Sequence, residues 1–207
     1  MPKSKHRKKK HKPARSSRDE RIDIIRRVSH FPLRECLISE EWSKSGLAHI
    51  IFARNRPDNQ VAIGVFMVDI GCLGVKSAFA NPAISLAQYD QMLRSNPEKM
   101  ARTDPACAVK LILGALDYAK RLDFKPDPDY YYAREIFGDI DPESCEEIFE
   151  YGRDGKPFYF SGPHDNVNRI INQLRRKVGP DGFDYVAMIG PFDGDEVYED
   201  EDEEIEN

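Results

Sequence analysis

Cysteine is scarce in this chain: four among 207 residues, Cys36, Cys72, Cys107 and Cys145, spaced by 36, 35 and 38 positions. No two stand at the C-x-x-C interval of a zinc knuckle, so no metal site is expected and the four read as reduced, partly buried thiols. Long apolar runs are missing too. No stretch approaches the roughly twenty apolar residues that span a bilayer. The start, MPKSKHRKKKHKPARSSR, has no apolar segment behind its charges, which argues against a secretory signal. Internal repeats and heptads are absent, and the GCLG at Gly71–Gly74 lacks the Lys-Ser/Thr partner of a phosphate loop. The expectation is a cytoplasmic domain with no cofactor. It needs no disulfide to fold, because a unit of roughly 150 residues buries about two-thirds of its unfolded surface.

What the chain does have is charge, unevenly placed. The formal net charge of −5 conceals +9 over residues 1–18, from Lys3, Lys5, Arg7, Lys8, Lys9, Lys10, Lys12, Arg15 and Arg18, and −10 over residues 193–207. Both ends are too poor in apolar residues to offset the entropy of ordering and are expected to be disordered tails around a globular domain at 19–192. Cations at this density displace counterions from phosphates, so nucleic acid or a ribonucleoprotein such as the ribosome is the natural partner, although a basic start can also serve solubility alone. The acidic end solvates, competes with nucleic acid for the basic tail, or serves a protein partner.

Between the tails the pattern predicts a single α+β domain, with paired strands in a mixed or antiparallel sheet packed against several helices. A short helix after RDE ends before Pro32. ECLISE, LAHIIFARN and VAIGVFMVD read as strands, the last two a hairpin through RPDNQ. With Arg54 opposite Val61, Ile50 and Phe52 would share a face with Ile63, Val65 and Met67. Both faces are apolar, which places the hairpin mid-sheet. ISLAQYDQMLRS and PACAVKLILGALDYAKRL read as helices, the second carrying a stripe of Ala108, Ile112, Ala115, Ala119 and Leu122. Pro128 and Asp129 open a short helix that Gly138 closes. EIFEYGRDGKPFYFSG reads as a hairpin about Asp154-Gly155. DNVNRIINQLRRKVGP reads as a helix capped by Asp165, and FDYVAMIG as a final strand.

Few residues can carry chemistry. Asp69 closes an apolar strand beside Gly71, where it can cap the following turn or hold a divalent cation. Cys72 is a small thiol between two glycines, or a nucleophile if an imidazole such as His49 stands near. His164, in SGPHDN at a helix start, is a candidate anion donor. Arg169 and Arg176, seven residues apart, share a helix face that can extend the tail's contact with phosphate, although the cations of that last turn also complement the helix dipole. Tyr130, Tyr131 and Tyr132 offer rings for base stacking, but at most two can face one surface.

The segments GVFMVDIGCLGVKSAF and GRDGKPFYFSGPHDNVNRIINQLRRKVGPDGFDYV together resemble a family of uncharacterised bacterial proteins, a likeness that implies no activity. DIGCLG also resembles the Asp, Cys, Leu, Gly run of ribonuclease H enzymes, which would make Asp69 a metal ligand. The leading expectation is a noncatalytic nucleic-acid or ribonucleoprotein binding module. The alternatives are a metal-dependent hydrolase or nuclease centred on Asp69 and a protein-interaction adaptor.

Overall fold

In a computed structural model, residues 17–187 can be described; the tail cations from Lys3 to Arg15 and the acidic run from 193 lie outside them. Helix α1 (Ser17–Val28) already includes Arg18, whose side chain is likewise outside the description. Strands β1 (Leu33–Ser39), β2 (Leu47–Asn55), β3 (Gln60–Asp69), β4 (Gly74–Ser85) and β5 (Met100–Arg102) form one antiparallel sheet in the order β4-β3-β2-β1-β5. A one-turn helix α2 (Trp42–Ser45) links β1 to β2.

The hairpin of β2 and β3 lies mid-sheet as expected, but its register is one residue away from the sequence reading. Arg54 faces Ala62, and Asn55 faces Val61. The loop has three residues, Pro57, Asp58 and Asn59, with Asn59 at φ 55° and the Arg56 N–H bonded to the Gln60 carbonyl at 2.9 Å. Such loops end on a left-handed residue, a conformation asparagine tolerates. A one-residue slip exchanges the faces. Ile50 and Phe52 therefore pack with Phe66 and Val68, and Ile51 and Ala53 pack with Ile63. Apolarity alone left this undecided because both faces are buried.

Helix α3 (Leu86–Ser95), opened by a Ser85/Gln88 capping box, covers the Ile51 face through buried Tyr89. Helix α4 (Pro105–Arg121) covers the other face with the whole predicted stripe buried, together with α1 and the short helix α5 (Tyr130–Ala133), which continues as a 3-10 turn to Phe137 and stops at Gly138. Arg54 is buried beneath this layer, donating to the carbonyls of Phe31, Ile136 and Phe137 at 2.8, 2.8 and 2.6 Å.

Two further expectations are corrected. The cysteines are not all thiols: Cys107, in the first turn of α4, is disulfide-bonded to Cys145, with their Cα atoms 5.0 Å apart, while Cys36 and Cys72 are free and buried. The segment around Asp154-Gly155 does make the tight turn, both residues having positive φ, but only Arg153 and Lys156 pair across it. Its flanks bond elsewhere: the Gly152 N–H reaches the Ile70 carbonyl at 2.8 Å and the Phe158 N–H reaches the Gly71 carbonyl at 3.1 Å. The outgoing limb becomes β6 (Phe158–Phe160), paired in parallel with β7 (Asp184–Val186), and helix α6 (Val167–Val178) packs beside it through Leu174. No helix among the described residues is long and apolar enough to cross a membrane.

Candidate nucleic-acid interface

The corner between β3 and β4 is built by its acid and its glycines. Asp69 Oδ1 accepts the N–H groups of Cys72 at 2.8 Å and Leu73 at 3.2 Å, so the carboxylate caps the turn. A side chain on Gly71 would run into the Phe158 carbonyl, and Gly74 adopts φ 71° against Ala119 of α4. Burial pushes the Asp69 carboxyl above its usual range even though these N–H groups pull the other way. Burial, then the Asp69 charge, pushes the Cys72 thiol up as well, the opposite of what an activated nucleophile needs. His49 does not complete a nucleophilic site here. It sits opposite Met67 on β2 and pairs its Nδ1 with Glu98 at 2.7 Å. Among the described residues no three His, Cys, Asp or Glu side chains are grouped so as to hold a metal ion.

Asp165 has a different role from the one its position suggested. Asn166 is the N-cap of α6, its Oδ1 accepting the Arg169 N–H at 3.0 Å. Asp165 Oδ2 instead gathers Lys76 Nζ at 2.8 Å, the Gly162 N–H at 2.8 Å and the Tyr159 hydroxyl at 3.2 Å. Burial opposes this charge, but Lys76, Gly162 and Tyr159 outweigh it and hold the carboxyl below the usual carboxylate range. Asparagine caps a helix as well as aspartate does, so the two neighbours were interchangeable on sequence.

Along α6 the surface is grooved. A depression of about 640 Å³ lies between the start of β4, the 123–128 loop and the first half of α6, with Lys76, Lys125, His164, Asp165 and Arg169 on its walls. A second, of about 310 Å³, is lined by Asp123, Gln173, Arg176 and Lys177. They share Asp123 and Gln173, so together they form one groove along the helix. Gln173 is fixed at the saddle by donating to the Leu122 carbonyl at 3.0 Å.

The carboxylates of this groove all have partners. Asp123 pairs with Lys177 at 2.9 Å, Asp165 with Lys76, and Asp127 accepts the Asp129 N–H at 2.8 Å. The side chains of Lys125, Arg169 and Arg176 make no hydrogen bond or ion pair among the described residues, and all three are exposed. Protein-family models, curated proteins and solved structures give no match to this chain. Its function is read from the site's own chemistry.

The structure thus brings His164, Arg169 and Arg176 to one groove and leaves Asp69 and Cys72 buried beneath its edge. Lys76 and Lys125 were not singled out in the sequence. Lys76 lies on β4, a strand whose pattern is diluted by Ser77, Asn81 and Pro82, and Lys125 reaches the groove only because its loop folds against α6. Tyr130 and Tyr132 are buried and only Tyr131 is exposed, so the three rings form no stacking platform. Another depression, of about 500 Å³, contains Arg26 and Arg134, but Arg26 is paired with Glu135 at 2.8 Å and Arg134 lies over the Tyr130 ring.

Proposed function

We propose that this protein is a noncatalytic nucleic-acid or ribonucleoprotein binding module that engages the phosphate backbone along α6, with the basic residues of 1–18 extending the contact. One observation carries this reading: in the α6 groove Asp123 and Asp165 are paired with lysines, while Lys125, Arg169 and Arg176 make no ion pair among the described residues, so the groove's cations outnumber its acids even with Asp127 counted. Exposed cations of this kind can neutralise phosphates, and the counterions that the nucleic acid then releases favour binding by entropy. Arg169 and Arg176 stand two helical turns apart, about 10.5 Å along the axis, far enough to reach different phosphates of one strand. A binding role is further supported by Asp69, whose carboxylate serves the turn, and by Cys72, whose thiol is buried.

Fluorescence anisotropy with labelled RNA, read between about 50 and 200 mM salt, tests the proposal. Affinity should fall steeply, each neutralised phosphate contributing about 0.7 to 0.9 to the logarithmic slope. Replacing Lys8, Lys9 and Lys10 with Gln in the full chain should lower that slope by about two. An affinity indifferent to salt would remove the proposal. Mg²⁺-dependent cleavage of the same RNA, lost in Asp69→Asn with the fold intact, would replace it with the nuclease reading.

A further inference from the structure

The larger half of the groove has a feature that phosphate contacts leave unused. Beside its cations the depression is lined by apolar side chains, among them Phe124, Pro126, Pro128 and Ile170. This surface is fixed in place: the Phe124 N–H bonds the Ala119 carbonyl at 3.0 Å, and the Asp127 N–H bonds the Val75 carbonyl of β4 at 2.9 Å. At about 640 Å³ the depression falls within the roughly 300–1,000 Å³ range of sites that hold small organic groups.

We infer that this depression seats one unpaired nucleotide, with the base against Phe124 and the adjoining prolines and its phosphates at Lys125 and Arg169. The inference rests on the nucleic-acid reading and narrows it to single strands. A duplex keeps its bases stacked inside and offers mainly phosphate and sugar to such a groove, which would leave its apolar lining wet. An unpaired strand can turn a base out, and any base has an apolar face that packs against an aromatic ring whatever its sequence. Cations and apolar side chains lining one depression match the two halves of a nucleotide.

The test uses the full-length protein and labelled ribo- and deoxyribo-oligonucleotides, each as a single strand, as a duplex, and as a single strand with its bases removed. The single strand of at least one sugar type should bind about tenfold more tightly than its duplex. Phe124→Leu, which keeps the residue apolar but removes the ring, should weaken that binding about tenfold, the effect of losing one stacked base. The same variant should leave duplex and abasic-strand affinities and the salt slope unchanged, which a loss of folding would not do. Equal affinity for single strand and duplex, or a Phe124→Leu variant that weakens all probes alike, would overturn the inference and leave the phosphate reading standing. Failure of every probe to bind would overturn both.

Discussion

The ammonium of Lys76 lies 2.8 Å from Asp165 Oδ2, and this largely buried pair ties the start of β4 to the segment that enters α6. Asp165→Asn would leave Lys76 without its counter-charge at a site that water reaches only in part. A loss of about 2 kcal/mol in unfolding free energy at neutral pH is expected, less than the roughly 3–5 kcal/mol of a fully buried pair because both side chains keep some exposure. The sign with pH follows from the lowered carboxyl. Stability from a depressed acid is fully present above its ordinary value of 3.8 and is lost as pH falls through the lower folded value. Denaturant titrations of the two proteins should therefore converge in strong acid. A deficit that stays constant with pH would show that the charge is not its source.

Asn166→Ala should remove the N-cap of α6 and cost about 1 kcal/mol. Because the cap is uncharged, this loss should be the same at neutral and acid pH. Thermal or denaturant melting at both values separates it from the Asp165 effect.

At Asp69 the shift has the opposite sign. Its carboxyl is raised by burial, so its contribution is present at low pH and fades as pH rises through the folded value. Asp69→Asn keeps an oxygen that can accept from Cys72 and Leu73, and should change neutral-pH stability by no more than about 1 kcal/mol. Asp69→Ala leaves both N–H groups buried without an acceptor and should cost on the order of 2–4 kcal/mol. Equal melting of the two variants would refute the capping role.

Arg54 should tolerate no substitution well. Its planar fork meets three carbonyls from two segments, so Arg54→Lys, with one compact ammonium, loses bonds almost as Arg54→Met does. Each variant is expected to lose on the order of 3 kcal/mol, read by chemical denaturation. A fully stable Arg54→Lys would contradict this account of the buried guanidinium.

The disulfide between Cys107 and Cys145 closes a separation of 38 residues, for which chain entropy gives at most about 4 kcal/mol. Mass spectrometry without reductant should find two alkylatable thiols under denaturing conditions, Cys36 and Cys72. Reductant should lower the melting temperature of the natural chain but leave that of a Cys107→Ser/Cys145→Ser double variant unchanged.

What could be read from sequence was whatever depends on local periodicity. The stripe from Ala108 to Leu122 fixed the principal helix, and the spacing of Arg169 and Arg176 put them on one face. Relationships set by tertiary contact were not legible. Two apolar faces hid the register at Arg54, since a slip exchanged one buried face for another. A Cys separation of 38 residues carries no distance, and an Asp-Asn pair before α6 does not say which residue will cap it. Lys125 and Phe124 gained their place in the groove only from the folding of their loop against α6.

The central claim is that α6 presents the contact with nucleic acid, and reversing its charge tests this most directly. Arg169→Glu/Arg176→Glu in the full chain removes two cations and adds two acids on the outer face, away from Leu174. Circular dichroism should be unchanged and melting only slightly lowered by the loss of Arg176 from the last turn, RNA affinity should fall by at least about tenfold, and the salt slope should drop by about 1.5 as two phosphate contacts are lost. A folded double variant with the affinity and salt slope of the natural chain would contradict the claim.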